Sequence, residues 1–201
     1  MGRLVFFLGG AGAGKTTLAK ALAKRSHAAL FDMDTLLRPA AEAIMTLSGL
    51  DPNDRDSPLY KTRCRDLGYR LTMDAALENI ALGTDAYVIG PFTRETEEPE
   101  WLGGELARIG ADLSTVDVKV IFVSLQEDSH YRERIVQRGS ALDAWKLDNW
   151  AVFSRSLAAR SSKWPLPDSS VLYFDNTGEL TTDKLSMVED WIGHEAHNYR
   201  S

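Results

Sequence analysis

The sequence predicts an α/β fold: a five-stranded parallel sheet with helices on both faces, three layers in all. Three observations carry this. Short apolar runs alternate with stretches of helical periodicity along the chain. The first such run, Leu4 to Leu8, passes directly into a glycine-rich turn and then into a helical pattern. At 201 residues, 44% hydrophobic and 26% charged, the chain is long enough for one α/β domain with a substantial core and short for two.

The elements follow in order. After the strand Leu4 to Leu8, a helix from about Gly14 to Arg25 is carried by Leu18, Ala19, Leu22 and Ala23. Ala28 to Phe31 is a short second strand ending at Asp32 and Asp34. Helical periodicity then runs from Thr35 to about Leu50 and from about Leu59 to Leu82, on either side of a turn-rich, charged connector, Asp51 to Pro58. These helices, at about 35–82, form an insertion within one domain rather than a linker between two. Gly83 ends them, and Ala86 to Ile89 is the third strand, closed by Gly90-Pro91. Trp101 to Leu113 is helical by spacing, and Val116 to Val123 is the fourth strand. Ser124 with Glu127 makes a capping box for a helix that runs to about Arg138, where Gly139 stops it. Past the polar segment Ser140 to Asp143, another helix carries Trp145, Leu147, Trp150, Val152 and Leu157 until Pro165 and Pro167. Val171 to Phe174 is the fifth strand, and Thr182 to about His197 the closing helix. The domain spans 1–201, with no internal repeat and no low-complexity segment.

Within the first turn, Gly9, Gly14, Lys15 and Thr16 satisfy G-x-x-x-x-G-K-[ST], in the strand–turn–helix setting that pattern requires. Glycines let the backbone of Gly10, Ala11, Gly12, Ala13 and Gly14 turn so that successive N–H groups face one concavity, a nest for phosphate oxygens. The following helix, through Lys15, Thr16 and Thr17, adds its positive end. Lys15 reaches the β- and γ-phosphates, and the Thr16 hydroxyl is placed to ligate Mg²⁺. The pattern therefore predicts a site for ATP or GTP with Mg²⁺.

Parallel α/β sheets bind ligands at the carboxyl ends of their strands. The pair Asp32 and Asp34 lies there, so that Asp32 is assigned to the metal and Asp34 to accepting a proton from an attacking hydroxyl. Aspartate is also a favoured N-cap, and Asp34 as a cap of the next helix stands as the competing reading. Arg134 and Arg138 are four residues apart on one helical face beside a flexible segment, the composition of a closing lid at about 132–146. A solvated basic face at a helix C-terminus is the alternative.

On these residues the chain resembles the P-loop nucleoside and nucleotide kinase superfamily: the small kinases similar to shikimate kinase, gluconate kinase, chloramphenicol phosphotransferase and the zeta toxins, many of whose relatives are known only as AAA-type ATP-binding proteins. The carriers are Gly9 to Thr16, Asp32-Met33-Asp34, and Glu133-Arg134-Ile135-Val136-Gln137-Arg138, and the similarity spans nearly the whole chain. The resemblance implies the P-loop NTPase three-layer sandwich with a substrate-binding helical insertion and a lid. It also implies that Arg134 stacks on adenine and that Arg138 contacts the γ-phosphate. One departure is that the third strand ends Ile89-Gly90-Pro91, without a Walker B aspartate, which leaves magnesium to Thr16, Asp32 and water.

Asp175-Asn176-Thr177-Gly178 matches D-x-x-G, yet it follows the last strand and no N-K-x-D guanine motif exists, which argues against GTP. In the kinase reading Asn176 flanks the adenine; a plain turn is the alternative. Lys61 to Arg70 concentrates basic residues on the acceptor-side insertion, so that Arg63 and Arg70, with Arg94 beyond the third strand, are candidates for an anionic acceptor, against the reading of a solvated face. A net charge of -6 argues against a broad nucleic-acid or acidic-membrane surface. The single cysteine, Cys64, excludes an internal disulfide, and no apolar run approaches a membrane span, so a cytoplasmic chain is expected. Monomer and homodimer both fit. The function expected is an ATP-dependent phosphotransferase acting on a hydroxyl of a small molecule, with catalytic Lys15, Asp34 and Arg138; an ATPase switch or a polynucleotide 5'-hydroxyl kinase are the alternatives.

Overall fold

The computed structural model describes residues 1–55 and 57–194. Its sheet comprises β1 (Leu4–Leu8), β2 (Ala29–Asp32), β3 (Ala86–Ile89), β4 (Val118–Ser124) and β5 (Val171–Asp175), all parallel, in the spatial order β2-β3-β1-β4-β5. β1 is central: Leu4 sits between Ala86 of β3 and Val118 of β4. Parallel neighbours need crossover connections, and these are helical. α1 (Lys15–Ser26) follows β1; α2 (Met33–Leu47), α3 (Pro58–Arg63) and α4 (Arg65–Ala81) join β2 to β3; α5 (Trp101–Ala107) precedes β4; α6 (Asp128–Arg138), α7 (Ala144–Asp148) and α8 (Trp150–Phe153) lie between β4 and β5; α9 (Thr182–Gly193) follows β5.

Side-chain alternation along β1 splits the core in two. Leu4, Phe6 and Leu8 face Met73, Leu77 and Ile80 of α4 with Leu102 and Leu106 of α5, whereas Val5 and Phe7 face Leu18, Ala19 and Leu22 of α1 with Val188 and Ile192 of α9. Both faces of the sheet are thus covered, as continuous apolar strands require. A third small cluster, Leu37, Ala41 and Cys64, holds the helical insertion together. No helix among the described residues is long and apolar enough to cross a membrane.

Several elements depart from expectation, each for a local reason. α2 starts at Met33, not Thr35, because Asp32 Oδ1 accepts from the Asp34 and Thr35 N–H groups at 3.0 and 3.4 Å. The cap is therefore Asp32, and Asp34 lies inside the first turn. The single helix expected over Leu59 to Leu82 is two, α3 and α4, meeting at the fully buried Cys64. The helix expected to reach Leu113 ends at Ala107, followed by Gly110 at φ 70° and an Asp112 turn that binds the Ser114 and Thr115 N–H groups. The Ser124–Glu127 capping box does not form: β4 runs on to pair Ser124 with Asp175, and α6 begins only at Asp128. The expected helix through Trp145 to Leu157 is broken into α7 and α8 at Asn149, with 3₁₀ turns before and after. The closing helix is described to Gly193; its expected extension to His197, like Asp56 of the connector, lies outside the described residues.

Phe6 is wholly buried on the central strand, edge-on to Phe92 at 5.4 Å and near Trp164 at 5.0 Å. Phe6→Ala is expected to cost about 3–5 kcal/mol in urea unfolding, whereas Leu82→Ala, at a side chain 83% exposed, is expected to stay within ~0.5 kcal/mol. Equal costs would contradict the assigned core.

Candidate active site

Because β1 lies between β3 and β4, the turn that follows it emerges at the middle of the carboxyl edge. That turn is tight. Gly14 has φ 90°, and a Cβ there would come within 2.4 Å of Asn176 Nδ2; Gly9, at φ 139°, would meet Val123 O at 2.2 Å. The buried Ala13 presents its carbonyl outward from the nest, where it accepts from Asn176 Nδ2 at 2.8 Å and from Arg134 Nη1 at 3.3 Å. Arg134 Nη2 donates in turn to Asn176 O at 2.7 Å and Gly178 O at 2.9 Å. α6 and the loop after β5 thus grip the turn from outside. On its inside, α1 starts at Lys15 with no side-chain cap and no acidic residue in its first turn, so its N-terminal dipole is left uncompensated by the chain.

Lys15 Nζ donates to Gly10 O at 2.8 Å. Burial of the ammonium among the loop backbone pushes its pKa down to about 8; Asp34, then Asp32, oppose this, and Arg160 and Arg138 reinforce it. The residue as a whole keeps part of its surface exposed. Thr16 Oγ1 donates to Asp32 Oδ2 at 2.9 Å while Asp32 Oδ1 caps α2. Asp34 is exposed, and no hydrogen bond to its carboxylate exists among the described residues. The two aspartates are thereby different: one is committed to the loop and a helix end, the other is free toward Lys15. Thr16 and Asp32 offer adjacent hard oxygens, the donor type Mg²⁺ takes when one or two protein ligands suffice. No group of three or more metal-binding side chains is found among the described residues, so the fit is to a metal held jointly with phosphates rather than in a protein cage.

The remaining expected residues fall in distinct places. Gly10, Ala11 and Gly12 line the turn, and Thr17 lies exposed in the first turn of α1. Arg138 is half exposed and bound by Asp143, its Nε at 2.8 Å and Nη2 at 2.6 Å from Oδ2; Asp143 is nearly buried and also takes Lys146 at 2.8 Å. Asn176 is buried, its amide nitrogen spent on Ala13 O. Arg63 is exposed at the end of α3, and Arg94 is exposed beyond β3. Arg70 lies bidentate on Glu105, at 2.9 and 2.7 Å, and beside Asp74. Arg65 pairs with Glu95 at 3.2 Å. Half of the basic run on the insertion is therefore neutralised by carboxylates from other parts of the chain. Two residues absent from the sequence reading also enter the site: Asp143, which orients Arg138, and Arg160, whose charge is felt at Lys15. No motif marks either one; a buried aspartate within a polar segment and a lone arginine after a broken helix have no local signature.

No family model matches the chain, and no curated protein matches it. Solved structures do. A provisionally named kinase of Chloroflexus aurantiacus superposes with TM-score 0.62 over 96% of this chain and 97% of that one, at 17% identity. A sugar kinase of Janibacter sp. gives 0.59 over 96% and 95% at 15% identity. An APS kinase of Mycobacterium tuberculosis, solved with AMPPNP and APS, gives 0.56 over 96% and 98% at 16% identity. The fold is the three-layer α/β sandwich of P-loop small-molecule kinases. At such identities the likeness is one of fold.

The Lys15 environment has a measurable consequence. Its folded pKa, about 8, lies below the ordinary 10.5, so the unfolded chain binds the extra proton between these values and the stability contributed at this site rises with pH across that window. Lys15→Met is expected to raise Tm at pH 7 and to lose most of that advantage by pH 10. A gap between variant and wild type that does not change with pH would contradict the burial of the ammonium.

Proposed function

We propose that the chain is an ATP-dependent phosphotransferase that moves the γ-phosphate of Mg·ATP to a hydroxyl of a small molecule. The observation that carries this reading is the division of labour between the two carboxylates. Asp32 is tied to Thr16 and to the start of α2, while the Asp34 carboxylate, the strongest negative influence on Lys15, has no hydrogen-bonded partner among the described residues. A site that only binds nucleotide has no use for a carboxylate left free beside the phosphates, whereas transfer to a hydroxyl has one.

In this reading the backbone N–H groups of the loop and the start of α1 hold the phosphate oxygens, and Lys15 neutralises charge as it builds. Thr16 and Asp32 would hold Mg²⁺, which supplies charge neutralisation across the β- and γ-phosphate oxygens when bound. A P–O bond forms to the acceptor oxygen as the bond from the γ-phosphorus to the β–γ bridging oxygen breaks. The acceptor's proton goes to an Asp34 carboxylate oxygen. Arg138 keeps one Nη free of Asp143 and contributes positive charge from the lid at about 132–146, and Arg134 maintains the loop shape. α2 to α4 would form the acceptor wall. The fold shared with a sugar kinase and an APS kinase supports a small-molecule acceptor.

The test is a screen of hydroxyl compounds for stimulated ADP release, followed by two near-isosteric variants. Asp34→Asn is expected to lower acceptor phosphorylation by about 10²–10⁴-fold and to leave ATP binding intact. Asp32→Asn is expected to weaken Mg²⁺-dependent nucleotide binding as well. An Asp34→Asn enzyme that phosphorylates its acceptor at the wild-type rate would overturn the base assignment.

A further inference from the structure

The end of α6 and the turn after it bring three charged side chains onto one another. Gly139, at φ 59°, ends the helix in the left-handed region that glycine adopts at little cost. The chain then doubles back through a 3₁₀ turn, in which Ser140 Oγ accepts from the Leu142 N–H at 3.3 Å and Ser140 O from the Asp143 N–H at 3.0 Å. Asp143 is thereby returned to Arg138: its Oδ2 accepts from Nε at 2.8 Å and lies 2.6 Å from Nη2. Its other oxygen, Oδ1, accepts from Lys146 Nζ of α7 at 2.8 Å. The aspartate side chain is 2% exposed, that of Lys146 19% and that of Arg138 49%.

Two cations on one buried carboxylate are more than local neutrality requires. Glu95 and Glu105, which are nearly buried as well, hold one arginine each, Arg65 and Arg70. Asp74 takes two arginines, but it is half exposed and water screens all three groups. At Asp143 the Arg138 fork alone balances the charge. The chain nevertheless commits a mostly buried lysine to the second oxygen, and fixes its head further by a bond to Leu142 O at 3.2 Å.

The helix that carries Arg138 runs along the glycine-rich turn. A Cβ on Gly12 would meet Ile135 Cγ1 at 3.0 Å and the Tyr131 carbonyl at 3.1 Å, and Arg134 reaches Ala13 O at 3.3 Å. Arg138 stands one helical turn beyond Arg134 on the same face. Its Nη1 takes no part in the bonds to Asp143. An arginine tied to a buried carboxylate is well oriented but weakly charged, because a phosphoryl group beyond it meets a nearly neutral pair. A second cation on the far oxygen alters that balance, leaving the Arg138, Asp143 and Lys146 group one positive charge in excess.

We propose that Lys146 is a positioning residue of the lid: it neutralises Asp143, so that Asp143 orients Arg138 without cancelling the positive charge that Arg138 brings to the transferring phosphoryl group. This rests on the phosphotransferase reading. Lys146 then takes part in turnover while touching neither nucleotide nor acceptor, and its whole effect passes through one carboxylate. A lysine that only ties the lid turn together behaves differently. The two roles separate when Asp143 loses its charge, since a residue that offsets the carboxylate is dispensable once the carboxylate is gone.

The test is a double-mutant cycle on the full chain, read as ADP release from Mg·ATP with water as acceptor and with any hydroxyl compound that stimulates it, beside calorimetric titration of Mg·AMPPNP. Lys146→Gln is expected to lower kcat on the order of tenfold with the KM for ATP and the AMPPNP affinity unchanged, and Lys146→Arg to retain most of the wild-type kcat. Asp143→Asn keeps an amide oxygen that accepts from Arg138 and removes the opposing charge, so adding Lys146→Gln to it is expected to change kcat by less than about twofold. A wild-type kcat in Lys146→Gln would overturn the proposal. So would the same tenfold loss in both backgrounds, which would have Lys146 act on the phosphates or on the fold independently of Asp143, and so would a loss of AMPPNP affinity matching the loss in kcat. If Lys146→Gln alone fails to fold, Asp143→Asn with and without Lys146→Gln decides the same point. A wild type that binds AMPPNP but releases no ADP with water or any hydroxyl compound would instead sink the phosphotransferase reading, and this proposal with it.

Discussion

The Ala13 carbonyl is the contact on which the site depends. A glycine-rich turn has many conformations available to it, and the entropy of holding one is large. Here the turn is held from outside by Asn176 and Arg134, which reach the same oxygen from the β5 loop and from α6. Gly14 is where this close approach leaves no room for a side chain. The nest is thus formed by the packing of three elements that are far apart in sequence, and a ligand does not have to form it.

The same economy governs the charges around the loop. Three arginines around the insertion and the lid are paired within the chain: Arg65 on Glu95, Arg70 on Glu105, and Arg138, with one Nη left over, on Asp143. The Glu and Asp partners are themselves nearly buried, so each pair is protected from solvent screening more than a surface pair would be. At the loop itself are Lys15 and an α1 N-terminus without an acidic first turn. Asp34 is the largest opposing charge at Lys15, and Asp32 is the cap of α2.

How much of this was legible follows from how local each signal is. The loop, its lysine and its threonine are contiguous, and strand–turn–helix context sits within a few residues of them, so the sequence carries that part of the site by itself. The sequence assigned Asp32 to the metal and Asp34 to the base, with Asp34 as a helix cap for the competing reading; the cap is Asp32, which Thr16 also reaches from sixteen residues upstream, a contact with no local signature. The break at Cys64 and the absent capping box at Ser124 were hidden for a related reason, because a buried junction and one further strand pair with Asp175 are tertiary facts. Arg70 reads as a free cation until Glu105 folds onto it, and Arg160 reads as nothing at all until the chain returns past Pro91.

Calorimetric titration of Mg·ATP into the wild type and Asn176→Ala tests the outside grip on the nest most directly. This substitution removes the strongest grip on the Ala13 carbonyl without touching any group that would meet phosphate. The result expected is a single site in the wild type and affinity reduced on the order of tenfold in the variant, the equivalent of one well-formed hydrogen bond, with an unchanged melting profile for the sheet. Equal affinity in the two proteins would contradict the claim that the nest is held in shape from outside.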